Sequence, residues 1–192
     1  MLGLLKPTDP TWVDAARQDL PRLLVDHAHC ELKAAQSALS IVGRNAGAHP
    51  ELVEPLLALA KEETEHFHDV LAQAGARGVR VHPPEPDGYV TALLRAAKQD
   101  SRSPLLDRLV VSALIEARSC ERFKLLAEGL DEPELAAFYR ELMASEARHY
   151  RLFVSLGEEI FGEETTRERL EEMAEREAEV VGALALGPTV HG

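Results

Sequence analysis

Apolar residues return every three or four positions along four long stretches of this chain, the period of helices with one buried face. The first stretch, about 20–45, carries Leu24, Ala28, Ala35, Ala38 and Val42 on one stripe and closes at Gly43, Asn45 and Gly47. The second opens near His49–Pro50 and carries Leu52, Leu56, Leu59, Phe67 and Val70; it is expected to run to about Ala74 and stop at Gly75. The third begins with Ser103 as N-cap and Pro104 in the first position, carries Leu105, Leu109, Cys120, Phe123 and Ala127, and ends at Gly129. The fourth follows Asp131 as cap with Pro133 in the first turn, carries Leu135, Tyr139, Leu142 and Phe153, and is expected to stop at Gly157.

The remaining segments read as flanks. Residues 1–18 form an irregular lead-in with a short helix near Thr11–Gln18. Residues 75–88, rich in Gly and Pro, are too long for a tight turn, and a short helix near Tyr89–Lys98 follows. A long crossover between the second and third helices is what a ferritin-like four-helix bundle requires. A fifth helix, about 165–186, has Leu170, Met173, Ala174, Ala178 and Val181 on one side and Glu and Arg on the other; the last residues read as a loose tail. The expected fold class is therefore all-α, a single ferritin-like domain over 1–192 with its core at about 20–156.

Six glutamate and histidine residues sit on the apolar stripes, and Ser112 shares the third with Leu105 and Leu109. Glu31 sits on the first, Glu63 and His66 on the second, Glu116 on the third, Glu146 and His149 on the fourth. Each half of the chain thus reads as a lone Glu, an interval of 32 or 30 residues, then Glu-x-x-His. A Glu and a His three apart project from the same side of a helix and can grip one metal ion. Four carboxylates and two imidazoles form the donor set of a carboxylate-bridged di-metal centre in a helix bundle, and this oxygen-rich set suits iron or manganese better than zinc. Unpaired buried carboxylates are costly, and coordination removes much of that cost.

The second helix offers two overlapping Glu-x-x-His readings. Glu63 has Leu56, Leu59, Ala60, Phe67 and Val70 around it, whereas Glu65 has Lys61, Glu62 and Asp69, so Glu63 and His66 are the expected ligands. Glu62, Glu65 and His68 are read as surface groups. His27, one turn before Glu31, is a candidate outer partner or simply a partly buried histidine; Tyr139 and Tyr150 beside Glu146 and His149 are candidate outer partners or core aromatics. His29, His49, His82 and His191 read as surface or loop residues.

Composition narrows the class further. Ala, Leu, Glu and Arg, all strong helix formers, dominate, and aromatics are only 5%. The two cysteines, Cys30 and Cys120, fit no CxxC pattern and give no sign of a disulfide framework. No apolar run is long enough for a membrane span, so a cytoplasmic protein with no membrane partner is expected. The net charge of −12 argues against indiscriminate nucleic-acid binding. The charge is uneven, however: residues 77–124 hold nine Lys/Arg against six Asp/Glu, whereas 157–180 hold ten Glu against three Arg.

The segments DHAHCELKAA, KEETEHFHDVL, LIEARSCERFKLLA and FYRELMASEARHYRLF resemble the MiaE family of tRNA hydroxylases across all four long helices. That resemblance implies a non-haem di-iron centre held by Glu31, Glu63, His66, Glu116, Glu146 and His149. It also implies O₂ as co-substrate, an external electron donor such as a reductase, and hydroxylation of the isopentenyl side chain of 2-methylthio-isopentenyl-adenosine beside the tRNA anticodon. An anticodon stem-loop as partner calls for a basic docking face, for which Arg77, Arg80, Arg95, Lys98, Arg102 and Arg108 are the candidates. The competing reading is a ferritin- or rubrerythrin-like iron oxidation or storage protein. Monomer and dimer both remain open.

Overall fold

A computed structural model describes residues 2–84 and 86–191; Met1, Glu85 and Gly192 lie outside the description, and with them the extremities of the expected lead-in and tail and one position of the Gly/Pro-rich segment. Seven α-helices occur among the described residues, with no strand: α1 Trp12–Gln18, α2 Leu20–Asn45, α3 Val53–Ala76, α4 Gly88–Lys98, α5 Pro104–Gly129, α6 Pro133–Phe161 and α7 Glu163–Ala183. Side-chain caps set three of the starts. Asp19, Asp87 and Ser103 accept from the backbone N–H groups of Arg22, Val90 and Leu106, satisfying donors that a helix N-terminus otherwise leaves unpaired.

Several boundaries differ from expectation. The second long helix opens with a 3₁₀ turn, Pro50–Leu52, before α3 begins at Val53. Pro50 and Pro55 have no N–H to donate, which favours a tightened first turn. At its other end α3 passes through Gly75. The N–H of Gly78 bonds the carbonyl of Gly75, the N–H of Val79 bonds that of Ala74, and Gly78 takes a φ of +70°. Gly78, with its left-handed backbone, is the stop.

Gly157 likewise does not end α6. A Cβ placed on it would lie 2.8 Å from Thr166 Cγ2, so this glycine lets α7 approach closely. Gly162, at φ +88°, ends the helix instead, and the cap position at its start is Glu132, not Asp131.

The chain divides into two compact units. One comprises the described residues of 14–86 and 187–190, the other those of 1–13, 87–186 and 191–192. The first is an α2/α3 hairpin whose buried stripe runs through Leu24, Ala28, Ala35 and Ala38 on α2 and Leu56, Leu59, Ala60 and Val70 on α3. The second is an α5/α6 hairpin on which α4 and α7 pack, with Tyr89, Leu93, Leu106, Val110, Leu114 and Met173 in one apolar cluster.

Charge is buried in this second unit to a degree the pattern of the chain does not reveal. The seam of α7 is Thr166, Arg169, Met173, Ala174 and Glu177, so Arg169 and Glu177 occupy places where an exposed charged side was expected. Arg118, wholly buried, donates to Glu177 through Nε and Nη2, to Thr8 Oγ1 at 2.9 Å, to the Lys6 carbonyl at 2.8 Å and to Glu121. Tyr89 Oη donates to the same Glu177 at 2.9 Å, and Thr8 donates through N and Oγ1 to Glu121. Arg169 spans Asp107 at 2.8 Å, the Ala97 carbonyl at 3.0 Å and Asp100 at 3.2 Å. Buried arginines of this kind hold their charge because their partners are charged and hydrogen-bonded.

The end of the chain is not loose at residue 191. His191 is buried, stacks on Tyr89 with ring centres 5.3 Å apart, shares a 3.0 Å hydrogen bond with Ser119 Oγ through Nε2, and has Nδ1 3.5 Å from Asp87. Its expected place on the surface is therefore corrected: the ring has an aromatic face and two polar partners, which a short Gly- and Pro-rich stretch does not advertise.

Candidate metal centre

Each unit carries one half of the expected ligand set, and each half is built the same way. In the α2/α3 hairpin, Glu31 projects from the middle of α2, and Glu63 and His66 project one turn apart from the facing stripe of α3. Glu31 is 4% exposed, Glu63 1% and His66 8%. His66 Nδ1 lies 3.2 Å from Glu63 Oε2 and 3.7 Å from Glu31 Oε2. One donor atom from each of the three falls within 4.8 Å of the other two, close enough for a single ion.

The α5/α6 hairpin repeats this with Glu116, Glu146 and His149, all buried. His149 Nδ1 is 3.7 Å from Glu146 Oε1 and 3.8 Å from Glu116 Oε2, and these donors too fall within 4.8 Å of one another. In both halves the same ring nitrogen, Nδ1, faces both carboxylates. Two oxygen donors and one imidazole per half fit a first-row divalent ion such as iron or manganese.

Exposure separates the two overlapping Glu-x-x-His pairs. Glu65 and His68 lie on the solvent side of α3, with Glu65 3.7 Å from Lys61. Glu62, expected at the surface, is only half exposed, and its Oε1 lies 3.8 Å from His66 Nε2. A carboxylate behind the non-coordinating nitrogen orients a ligand imidazole. The signal was present in the sequence as a Glu four residues before His66.

Of the other candidates, His27 is fully buried, and its Nε2 is 2.6 Å from Glu31 Oε1. Tyr139 packs against Phe123 and Phe138 in the core, with ring centres 5.4 and 5.5 Å away. Tyr150 is half-buried, with its hydroxyl against Gly3. The expected basic candidates are spread over several elements. Arg77 caps α3, donating at 2.9 Å to the Gln73 carbonyl; Arg80 is exposed after it; Arg95 and Lys98 are exposed on α4. Arg102 is exposed but paired with Glu172 at 2.8 Å and Glu168 at 3.6 Å on α7, and Arg108 is half-buried on α5.

The ionisation of the first half-site follows from its neighbours. Burial by itself would raise the Glu31 carboxyl, but hydrogen bonds with His27 and then His66 outweigh burial and hold it well below the usual carboxylate range. Burial would lower His66, yet Glu31 and Glu63 beside it push it up to about 10 from an ordinary 6.5. The His66 proton thus stabilises the metal-free fold fully below about pH 6.5, and the contribution fades as pH rises through about 10. Glu31 works in the opposite sense, its contribution present above 4.5 and lost as pH falls through its lowered folded value.

A metal ion has to displace the His66 proton, so binding at neutral pH is expected to release about one proton at this half-site. Affinity should strengthen by up to about tenfold per pH unit across the window from 6.5 to 10. Calorimetric titration with Co(II) in two buffers of different ionisation enthalpy measures the release. A buffer-independent heat would contradict it.

Two helical hairpins, each bearing a buried Glu and a buried Glu-x-x-His whose donors could hold a metal ion, place the chain in the ferritin-like class. A solved structure described as "Protein 43 with aldehyde deformylating oxygenase activity from Synechococcus" superposes with a TM-score of 0.91 at 40% identity, covering 98% of this chain and 95% of that one. The chain has the ferritin-like all-helical fold.

Residues 2–192 match the family described as tRNA-(MS[2]IO[6]A)-hydroxylase (MiaE), and the chain belongs to this family of enzymes. Among its relatives is the tRNA 2-(methylsulfanyl)-N(6)-isopentenyladenosine(37) hydroxylase of Pseudomonas putida, 41% identical over 87% of this chain and 80% of that protein. The protein of the same name from Salmonella typhimurium is 33% identical over 91% of this chain and 82% of its own length. No helix among the described residues is long and apolar enough to cross a membrane.

Proposed function

We propose that this chain hydroxylates the isopentenyl side chain of 2-methylthio-isopentenyl-adenosine in tRNA, beside the anticodon. In this reading a single ferritin-like domain works in the cytoplasm, and each of its two half-sites offers donors for one iron ion. The observation that carries it is the repeated donor set, with an imidazole Nδ1 facing two buried carboxylates in each half, in a chain of the MiaE family. Two iron ions, when bound, supply O₂-activating redox chemistry, with O₂ as co-substrate and electrons from an external donor protein.

The chain's own residues bind, balance and shield. Glu31, Glu63, Glu116 and Glu146 bring four negative charges, which offset the four positive charges of two Fe(II) ions in a low-dielectric interior. Glu62 and His27 orient ligands from behind. The apolar neighbours along each stripe, Leu56, Leu59 and Val70 among them, keep bulk water away from the donors.

Recognition of tRNA needs cations on an otherwise acidic protein. Arg80, Arg95 and Lys98 are the exposed candidates, whereas Arg102 is already answered by α7. Reversing Arg80, Arg95 and Lys98 to Glu together is expected to weaken tRNA binding at least tenfold and to flatten its salt dependence. Unchanged affinity in a filter or anisotropy titration would remove them from the interface.

The function itself is tested by nucleoside analysis of tRNA from cells with and without this protein. The hydroxylated isopentenyl nucleoside should vanish in its absence and its unhydroxylated precursor should accumulate. An unaltered nucleoside profile would refute the proposal. A second reading, aldehyde deformylation, is favoured by the 40% identical solved structure; deformylation of an aldehyde by the iron-loaded protein, with tRNA left unmodified, would establish it instead.

A further inference from the structure

The two half-sites repeat one arrangement, so the place where they differ is informative. They diverge at the position a helical turn before the lone glutamate of each half. On α2 that position is His27, with no exposed surface and its Nε2 2.6 Å from Glu31 Oε1. On α5 the position four residues before Glu116 is Ser112. An ionised carboxylate can only accept, so His27 Nε2 carries the proton and donates it to Oε1. That bond occupies one Glu31 oxygen. The other, Oε2, is the one on the His66 side, 3.7 Å from its Nδ1. Glu116 has no imidazole on its own helix to direct its two oxygens in this way.

We infer that His27 makes the two half-sites inequivalent: it is a positioning residue that engages Glu31 Oε1 and leaves Oε2 turned toward His66, so the α2/α3 half-site would take the more tightly held of two ions. This rests on the metal-centre reading above. The physical ground is preorganisation. A glutamate has three side-chain torsions to fix before it can coordinate, and a buried charge-assisted hydrogen bond fixes them in advance. Where a ligand's outer partner is removed, metal affinity falls by about 10–100-fold. Glu116 must bear that ordering cost on binding, so its half-site fills second.

The test is anaerobic titration of the metal-free protein with Co(II), following the binding isotherm and the visible ligand-field bands of the first ion. The unaltered protein should bind two ions in two resolved steps. His27→Leu fills the space without a donor; it should weaken the first step by about 10–100-fold, shift its bands and leave the second step in place. His27→Gln, whose amide N–H can reach the same oxygen, should restore most of the first step. Ser112→Ala should alter neither. A role in packing alone would give the reverse order, with Leu retaining the first step and Gln not.

If His27→Leu does not fold, as thermal unfolding of the metal-free protein would reveal, His27→Asn keeps a polar group but is too short to reach, and should weaken the first step alone. Two equal steps in the unaltered protein, or equal losses at both steps in the variant, would overturn the inference and leave the metal centre standing. No Co(II) binding by the unaltered protein would overturn both.

Discussion

Alanine in place of Glu116 or His149 is expected to abolish iron binding and hydroxylation together, each falling by more than about 100-fold, beyond the 10–100-fold that loss of an outer partner causes. Both residues are buried in the α5/α6 hairpin, where His149 Nδ1 stands within 3.8 Å of Glu116 and 3.7 Å of Glu146. Removing either leaves one nitrogen or one carboxylate fewer around an ion that already draws only three donors from this half. His68→Ala is the matched control, since that imidazole faces solvent three residues after Glu65 on α3. Metal content by elemental analysis and turnover on hypomodified tRNA should fall in step for the two ligand variants and not for the control. A variant without iron that retained full turnover would end the di-iron reading.

The second large effect concerns stability. Arg118→Met should destabilise the metal-free protein by about 3–5 kcal/mol, the usual cost of stripping one partner from a buried ion pair. The cost arises from what stays behind. Glu177 has no exposed surface and Glu121 is 5% exposed, and both would keep a buried negative charge after losing the guanidinium that donates to them. Chemical denaturation monitored by circular dichroism measures the change. A loss below about 1 kcal/mol would mean that the network is no more than a surface-like pairing. The triple replacement of Arg118, Glu121 and Glu177 by apolar residues of similar size is expected to recover much of the loss, because no unpaired charge is then left in the core.

The long helices and the burial of the six candidate residues were legible because period and polarity spoke together. Glu63 and Glu65 are both acidic and both precede a histidine, yet only one sits among Leu56, Leu59 and Val70, and the exposure of each agrees with that pattern. Caps read from Ser103 and Pro104 placed the start of α5 at the right residue. What stayed hidden was anything decided by partners distant in the chain. Gly157 and Gly162 are alike as letters, and only the nearness of Thr166 to the first and the positive φ of the second assign them opposite roles. Arg169 and Glu177 look like two more charges on an acidic helix until Asp107, Ala97 and Arg118 are brought to them. His191 lacked any local signal, since Tyr89 and Ser119 lie about a hundred and about seventy residues before it. Glu62 was within reach of local reasoning, for it stands one turn before His66.

The shell around Arg118 also bears on the order in which this chain can acquire its structure. Its hydrogen-bond partners include Lys6 and Thr8, 112 and 110 residues earlier, and Glu177, 59 residues later. During synthesis the earliest of these groups emerges long before the last. The α5/α6 hairpin can therefore collapse on its apolar stripe, but Arg118 stays unsatisfied until residue 177 has left the ribosome and the segment around Thr8 has returned to meet it. Such long-range closure slows the final step of folding and leaves a partly assembled species exposed in the meantime. Because Glu116 lies two residues from Arg118 on the same helix, the packing of this stretch of α5 is coupled to segments near Thr8 and Glu177, far from it in the chain.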